Sequence, residues 1–195
     1  MNIGFKYASG KYILMVSDDL ILEKGCIQKG YNEMERRINN GEKIGAGSFY
    51  FREYPRFNYY RVGVLPKNLI ALNHGFYTKG ALEDVGYLDE KNYNFYCSDG
   101  DIIMRMEEVG WKSIDLRDCF ADHLCHLPQI NKNKIPLSII RDTTFFNKKY
   151  PYKRDKNKKK VFVKTKIDRS AFFWTSPQNV IIGYILFLIS LIKKK

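Results

Sequence analysis

The chain is poor in cysteine and shows no secretory leader. Its four cysteines, Cys26, Cys97, Cys119 and Cys125, are spread over 195 residues, which is too sparse for a disulfide-stabilised scaffold. Residues 1–9 contain no apolar core of the kind that a signal peptide requires. These two absences together predict a protein of the reducing cytosol.

The chain also lacks an apolar run of the length that an ordinary transmembrane helix needs. After Gln178 the apolar stretch continues for about 14 residues, roughly 21 Å as a helix, whereas a bilayer core needs about 17–25 residues. Trp174 precedes this stretch and three lysines follow it, a pattern typical of an interfacial or re-entrant anchor at the cytoplasmic face of a membrane. We therefore predict that residues 171–195 form a hydrophobic, membrane-associating helix. A helix packed on the domain's own core is the alternative.

Acidic residues are outnumbered by basic ones. The chain has 33 Lys and Arg against 21 Asp and Glu, a net charge of +12. Residues 148–169 alone hold eleven Lys and Arg against two Asp. This distribution predicts a basic linker, residues 151–170, and an anionic partner. A membrane surface is favoured over a nucleic acid, because no nucleic-acid recognition motif is interleaved with the basic run.

The first 150 residues have the pattern of one α/β domain. The chain is 45% hydrophobic and 15% aromatic, which argues against disorder. Residues 1–10 resemble the end of an amphipathic helix, with Ile3, Phe5 and Ala8 toward a sheet. Further helices are predicted at residues 23–40, 79–85, 98–110 and 135–150, and strands at residues 11–16, 43–51, 68–76 and 111–116.

Two adjacent carboxylates, Asp18 and Asp19, follow the first predicted strand. The short apolar run at residues 11–16 is typical of a strand buried on both faces in the middle of a parallel sheet. Ligands of open α/β sheets bind beyond the carboxyl ends of such strands. Paired carboxylates there suit Mg²⁺ or Mn²⁺, often shared with substrate phosphates. An Asp pair that only caps a turn is the alternative interpretation.

A second acidic group lies at the predicted start of the helix at residues 98–110. Ser98 and Asp101 have the spacing of a capping box, and Asp101 precedes Arg105 by one helical turn. Asp99 has no structural role in this pattern. A carboxylate at a helix N-terminus is favoured in its ionised form, which suits a general base. Complementing the helix dipole is the alternative role for Asp99.

Cysteine and histidine crowd together in residues 119–126. A four-ligand zinc site is disfavoured, because neither a CxxC nor an HxxxH pair is present. A single imidazole that completes the site of Asp19 is the better functional interpretation. The structural alternative is that His123 and His126 bond backbone carbonyls at a strand end.

An aromatic, irregular segment at residues 52–67 separates the second and third predicted strands. Connections of this length in a compact domain are usually functional or mobile. Its Tyr and Phe rings are expected either to stack on a sugar or base or to pack over the sheet.

Taken in order, these motifs resemble the family-2 glycosyltransferases, whose fold is the nucleotide-sugar-binding GT-A type. The resemblance extends from Asn2 to about Tyr150. Its motifs are the opening Asn-Ile-Gly and Ala-Ser-Gly-Lys-Tyr-Ile, the Ser17-Asp18-Asp19 group at a DxD-like position, the Gly80–Glu90 helix and turn, and Ser98-Asp99-Gly100-Asp101 with Arg105 and Gly110. Ser98 stands where the family usually has glutamate.

The resemblance implies a partial GT-A, Rossmann-like fold, a mixed sheet flanked by helices. It also implies a metal-dependent, inverting transfer of a sugar from a nucleotide-sugar to an acceptor hydroxyl on a carbohydrate, lipid-linked or protein acceptor, as in polysaccharide biosynthesis. By this resemblance Asp19 and His123 would be metal ligands, with His126 as a less favoured substitute for His123. Asp18 would contact the ribose or a metal-bound water, and Asp99 would be the catalytic base. The implied acceptor-side positions are Asp101, Gly75 and Phe76.

Family members normally carry two further strand–helix units before the position of Asn2, and those units hold the nucleotide base. The chain is therefore expected to be a fragment, to receive that half from a partner chain, or to have lost donor binding. An open sheet edge and poor solubility alone would follow. The competing function is a non-catalytic, membrane-bound scaffold or binding module.

Overall fold

The computed structural model describes residues 1–54, 59–124 and 137–151, together with the backbone of residues 162 and 163. The predicted basic linker lies outside the described residues except for residue 151 and that two-residue backbone. The predicted membrane-associating helix lies wholly outside them, as do Cys125 and His126. No helix in the described ranges is long and apolar enough to cross a membrane.

The described chain is an α/β fold with a mixed sheet flanked by helices. The helices are α1 (Asn2–Tyr7), α2 (Cys26–Asn39), α3 (Lys79–Asp84), α4 (Ser98–Glu108) and α5 (Leu137–Lys149), with one 3₁₀ turn at Pro66–Asn68. The strands are β1 (Tyr12–Met15), β2 (Leu20–Leu22), β3 (Ile44–Glu53), β4 (Tyr60–Arg61), β5 (Gly63–Val64), β6 (Ile70–Ala71), β7 (Gly75–Thr78), β8 (Lys112–His123) and β9 (Phe162–Val163).

Strand β3 is the centre of the main sheet. It pairs in parallel with β8 on one side and antiparallel with β7 and β4 on the other, while β2 extends the sheet beyond β8. The predicted strand at residues 43–51 is confirmed, and its small residues allow close packing. A Cβ at Gly47 would lie 2.7 Å from the Met34 sulfur, so helix α2 packs directly onto the strand here.

Strand β1 does not occupy the predicted place in the middle of a parallel sheet. It pairs antiparallel with β7, and no other described strand pairs with it. Ile13 packs with Phe5 on one face, whereas Leu14 packs on the other face in the cluster that contains Met34. The apolar run therefore indicates that both faces of the strand are covered. It does not determine how many strands pair with β1 or in which direction they run.

Two apolar layers enclose the sheet. Helices α1, α3 and α4 contribute to one layer, and α2 to the other. Met34 is fully buried on α2, but Ile27 and Tyr31, which share its helical periodicity, are about half exposed. The buried face instead runs through Gly30, where a Cβ would lie 2.7 Å from the Phe76 ring. Periodicity missed this face because glycine carries no hydrophobic signal.

The other predicted elements are largely present. Helices α3 and α5 fall within the predicted ranges, and β8 extends the predicted strand at residues 111–116 as far as His123. Ile3 on α1 is 75% exposed, so only part of that helix's predicted apolar face packs on the sheet. The predicted strand at residues 68–76 is divided into β6 and β7, with a turn between them.

Gly75 begins β7 in a conformation that other residues rarely adopt. Its φ is +145°, and a Cβ there would lie 2.1 Å from the Gly47 carbonyl oxygen. We expect Gly75→Ala to lower the free energy of unfolding by at least about 2 kcal/mol, since backbone strain and a clash add. Gly4→Ala on α1 is the control: nothing lies within 4 Å, and helical Ala is favoured by about 0.5–1 kcal/mol. Equal urea-denaturation midpoints for both variants would contradict this packing.

Candidate metal and base site

The sheet brings Asp19 and His123 together. Leu20 is directly opposite His123 in the β2–β8 pair, and the Leu124 amide donates to the Asp19 carbonyl at 2.8 Å. The His123 Nε2 lies 3.0 Å from Asp19 Oδ1. Backbone pairing thus fixes two side chains that are far apart in the sequence, as the sequence analysis expected.

Asp19 is an accessible, ionised carboxylate. Its side chain is 42% exposed, against 23% for His123. Partial burial raises the pKa of Asp19, but the Ser17 hydroxyl and the His123 ring lower it by more. The pKa therefore lies below its usual value. The group is therefore charged at neutral pH, as a metal ligand must be. Asp18 is exposed next to it.

These donors fit a cation that takes most of its ligands from water and substrate. Within the described ranges, no three His, Cys, Asp or Glu side chains converge on one point. Asp19 and His123 can offer one carboxylate oxygen and one imidazole nitrogen. Mg²⁺ is commonly held by one or two carboxylates, waters and substrate phosphates, so a two-donor protein site is compatible with Mg²⁺ or Mn²⁺.

A third histidine, which the sequence analysis did not single out, lies behind this pair. The His74 ring centroid is 5.1 Å from that of His123 and 5.3 Å from that of Phe51. Burial, together with His123, lowers the pKa of His74 to about 4. His74 lies in the turn between β6 and β7, a stretch predicted to be continuous strand, so no sequence signal marked it.

Asp99 lies in the first turn of α4, with one side chain and one amide as partners. The Asn73 amide donates to Oδ2 at 3.5 Å, and the Gly100 N–H donates to Oδ1 at 2.9 Å. Burial raises the pKa of Asp99, so its carboxylate is more basic than usual. Because Asn73 contacts Asp99 and the adjacent His74 contacts His123, one turn joins the two candidate centres.

The start of α4 differs from the predicted capping box. The N-cap is Cys97 in a left-handed conformation, and the Ser98 hydroxyl donates to the Phe95 carbonyl at 3.3 Å. The Asp101 carboxylate does not return to Ser98. The spacing was correct for a box, but stronger partners elsewhere in the fold take the Asp101 side chain.

Asp101 is a buried structural anion. Its side chain is 0% exposed and accepts from Arg105 Nε and Lys149 Nζ at 2.7 Å each, and from the hydroxyls of Tyr93 and Tyr150 at 3.1 and 3.0 Å. Burial raises its pKa, but the two cations lower it to a net value below normal. The predicted pair with Arg105 is confirmed. The carboxylate is enclosed by these four donors, and its implied acceptor-side role stays a prediction.

Gly75 and Phe76, the other implied acceptor-side positions, are also inside the fold. Phe76 is 5% exposed and packs edge-to-face on Phe49 with ring centroids 5.5 Å apart. Gly75 lies against the Gly47 backbone. Both residues are buried on β7, and their implied acceptor-side roles stay predictions.

The loop that leads into α4 is held by Asp142 of α5. This fully buried carboxylate accepts from the backbone N–H groups of Asn94, Phe95 and Tyr96 at 2.9 to 3.2 Å. Asp142 binds the loop that precedes Asp99 in the sequence, and Lys149 binds Asp101, which follows it. Helix α5 therefore holds the chain on both sides of Asp99. Sequence reasoning missed Asp142 because its partners are backbone groups remote in the chain.

The strand end that carries His123 is braced by a polar cluster. Arg52 donates to both Asp122 oxygens at 2.6 and 2.9 Å, and the Tyr60 hydroxyl donates to the same carboxylate at 2.7 Å. Tyr60 is 1% exposed and packs on Phe120. Tyr60, which belongs to the aromatic segment at residues 52–67, therefore packs over the sheet. Cys119, considered for zinc, is buried and donates to the Cys26 carbonyl.

A scan against protein-family models and a search of curated proteins both return no match for this chain. Family membership and activity are therefore proposals that rest on the sequence motifs and on the geometry of the site.

Proposed function

We propose that this chain is the metal- and base-bearing part of a glycosyltransferase of the family-2, GT-A type. The observation that carries the proposal is the 3.0 Å contact between Asp19 and His123 at the end of the sheet where the resemblance implies metal ligands. Asp99, the implied base, lies across the Asn73–His74 turn from this pair. The α/β fold with a mixed sheet is compatible with a partial GT-A architecture.

The proposed reaction is an inverting displacement on a nucleotide-sugar. Asp99 accepts the proton of an acceptor hydroxyl while the oxygen attacks the anomeric carbon, and the nucleoside diphosphate leaves. Asp19 and His123 would hold Mg²⁺ or Mn²⁺, which would supply charge stabilisation for that leaving group. Asp18 is exposed beside Asp19, where it can contact the ribose or a metal-bound water.

The acceptor is a carbohydrate, lipid-linked or protein hydroxyl, and the setting is the cytoplasmic face of a membrane. This location rests on the basic run and the apolar C-terminal stretch of the sequence. Nucleic acid is not proposed as a partner. A partner chain that supplies the nucleotide-binding strand–helix units fits the edge of β1 that no described strand covers.

The same β1 edge favours the second candidate, a non-catalytic membrane-associated scaffold. An unpaired strand edge is a template for pairing with another chain. The two functions differ in what they bind: an enzyme takes a nucleoside diphosphate with a divalent cation, and a scaffold does not.

The test is calorimetric titration with UDP and GDP, each with and without Mn²⁺. We expect binding that depends on the metal. Asp19→Ala should weaken it by more than roughly 10–100-fold, which is the usual loss when only a residue that supports a metal ligand is changed. Asp118→Ala, an exposed carboxylate elsewhere on β8, is the matched control and should bind like the wild type. Absence of nucleoside diphosphate binding would favour the scaffold, and binding that ignores Mn²⁺ or survives in Asp19→Ala would contradict the proposed metal site.

A further inference from the structure

An unpartnered nitrogen lies between the two halves of the candidate site. His74 is 5% exposed, and its Nδ1 has no hydrogen-bond partner in the part of the chain that the structure describes. Buried polar atoms are nearly always hydrogen-bonded, and an unpaired one makes folding less favourable. Retention of such an atom next to a site calls for a partner that arrives with the ligand.

The surroundings of His74 place it on the path between the two centres. Its ring contacts His123, whose Nε2 lies 3.0 Å from the half-exposed Asp19. The preceding residue, Asn73, reaches Asp99 at 3.5 Å. The turn that holds Asn73 and His74 therefore contacts both candidate centres.

The backbone holds His74 in this place. Its carbonyl accepts from the Phe49 N–H at 2.8 Å, and the Phe51 ring packs edge-on against the imidazole. Gly75, the next residue, is pressed against the Gly47 carbonyl. The backbone of His74 is therefore held in place before any ligand binds, as expected of a preorganised binding position.

We propose that His74 is a ligand-binding residue whose Nδ1–H donates to an oxygen of the diphosphate held at Asp19 and His123. This inference rests on the proposed function and adds a protein contact with the nucleotide-sugar substrate. A neutral imidazole carries one N–H and one lone pair, so the Nδ1–H tautomer offers a donor. Phosphate oxygens are strong acceptors of such bonds, and binding would satisfy the orphaned nitrogen.

Two substitutions distinguish the effect of the nitrogen on binding from the effect of the ring shape. His74→Phe keeps a flat ring and removes the nitrogen, whereas His74→Asn places an amide near the position of Nδ1. Tyr77→Phe is the matched control, since Tyr77 is 0% exposed on the adjoining strand β7 and its hydroxyl also has no described partner. Thermal unfolding of each variant establishes that it folds.

The probe is methylenediphosphonate with Mn²⁺, measured by calorimetry on the full chain, because it presents the diphosphate group without a nucleotide. We expect His74→Phe to weaken binding about 10–100-fold, the range for a hydrogen bond to a charged group. His74→Asn and Tyr77→Phe should bind close to the wild type. His74→Phe should also unfold at the same or a higher temperature, because it removes an unpaired buried atom.

Unchanged affinity in His74→Phe would overturn the inference, as would equal weakening in His74→Asn and His74→Phe. The proposed function would still stand in both cases if Asp19→Ala abolished binding. Failure of the wild type to bind either the diphosphonate or UDP with Mn²⁺ would overturn the proposed function, and the inference with it.

Discussion

Asp99→Asn is expected to lower kcat by about 10²–10⁴-fold, the usual worth of general-base assistance. The substitution keeps the shape of the side chain and an acceptor for the Gly100 N–H, but the amide cannot take a proton. Binding of nucleoside diphosphate with Mn²⁺ should remain within a few-fold of wild type. The measurement is steady-state kinetics with the donor and acceptor that the wild-type protein uses. An unchanged kcat would remove Asp99 from the mechanism.

The same residue predicts a pH dependence of both activity and stability. Burial raises the pKa of Asp99, and a base acts only when deprotonated, so wild-type kcat/KM should rise with pH through that raised pKa and then level off. A raised carboxyl pKa stabilises the fold below the unfolded-state pKa, and this contribution is lost as pH rises through the folded-state value. Asp99→Asn should therefore unfold at a higher temperature than the wild type at neutral pH.

Asp101→Ala is expected to cost about 3–5 kcal/mol of the free energy of unfolding, as when one partner of a buried ion pair is removed. The substitution leaves Arg105 and Lys149 without the anion between them and strips two tyrosine hydroxyls of their acceptor. Since native domains have about 5–15 kcal/mol in total, much of the stability should be lost. Urea denaturation measures the difference.

The control for this loss is Asp115→Ala. Asp115 also accepts from a tyrosine, Tyr50, at 2.7 Å, but its ion-pair partner Arg117 is 83% exposed. We expect a cost of no more than about 1.5 kcal/mol, the net worth of one ordinary hydrogen bond. Similar losses in Asp101→Ala and Asp115→Ala would mean that the buried cluster does not support α4 as described.

Local patterns in the sequence predict most of the helices and strands, because those patterns report which faces are covered. Helix α2 ends at Asn39, one residue before the predicted end at residue 40, and Gly41 follows with a φ of +84°. Strand β1 was correctly placed, but its antiparallel partner β7 could not be deduced. Pairing depends on contacts between remote segments, and an apolar run has the same composition in either direction.

The candidate site was predicted in part for the same reason. Asp19 and Asp99 follow recognisable local signals, a strand end and a helix start, and His123 could be suggested from its position in a resembling motif. His74 and Asp142 carry no such signal, since each acquires its role from distant partners. The surroundings of Asp101 could not be predicted, because Lys149 at the end of α5 and the following Tyr150 bind it from a remote part of the sequence.

A double-mutant cycle on Asp19 and His123 tests the central claim most directly. Asp19→Asn, His123→Gln and the double variant are titrated with UDP and Mn²⁺, beside the wild type. If both side chains hold one cation, the losses should be strongly non-additive, and the double variant should bind little more weakly than the worse single variant. Additive losses, or binding that neither substitution affects, would contradict a shared metal site.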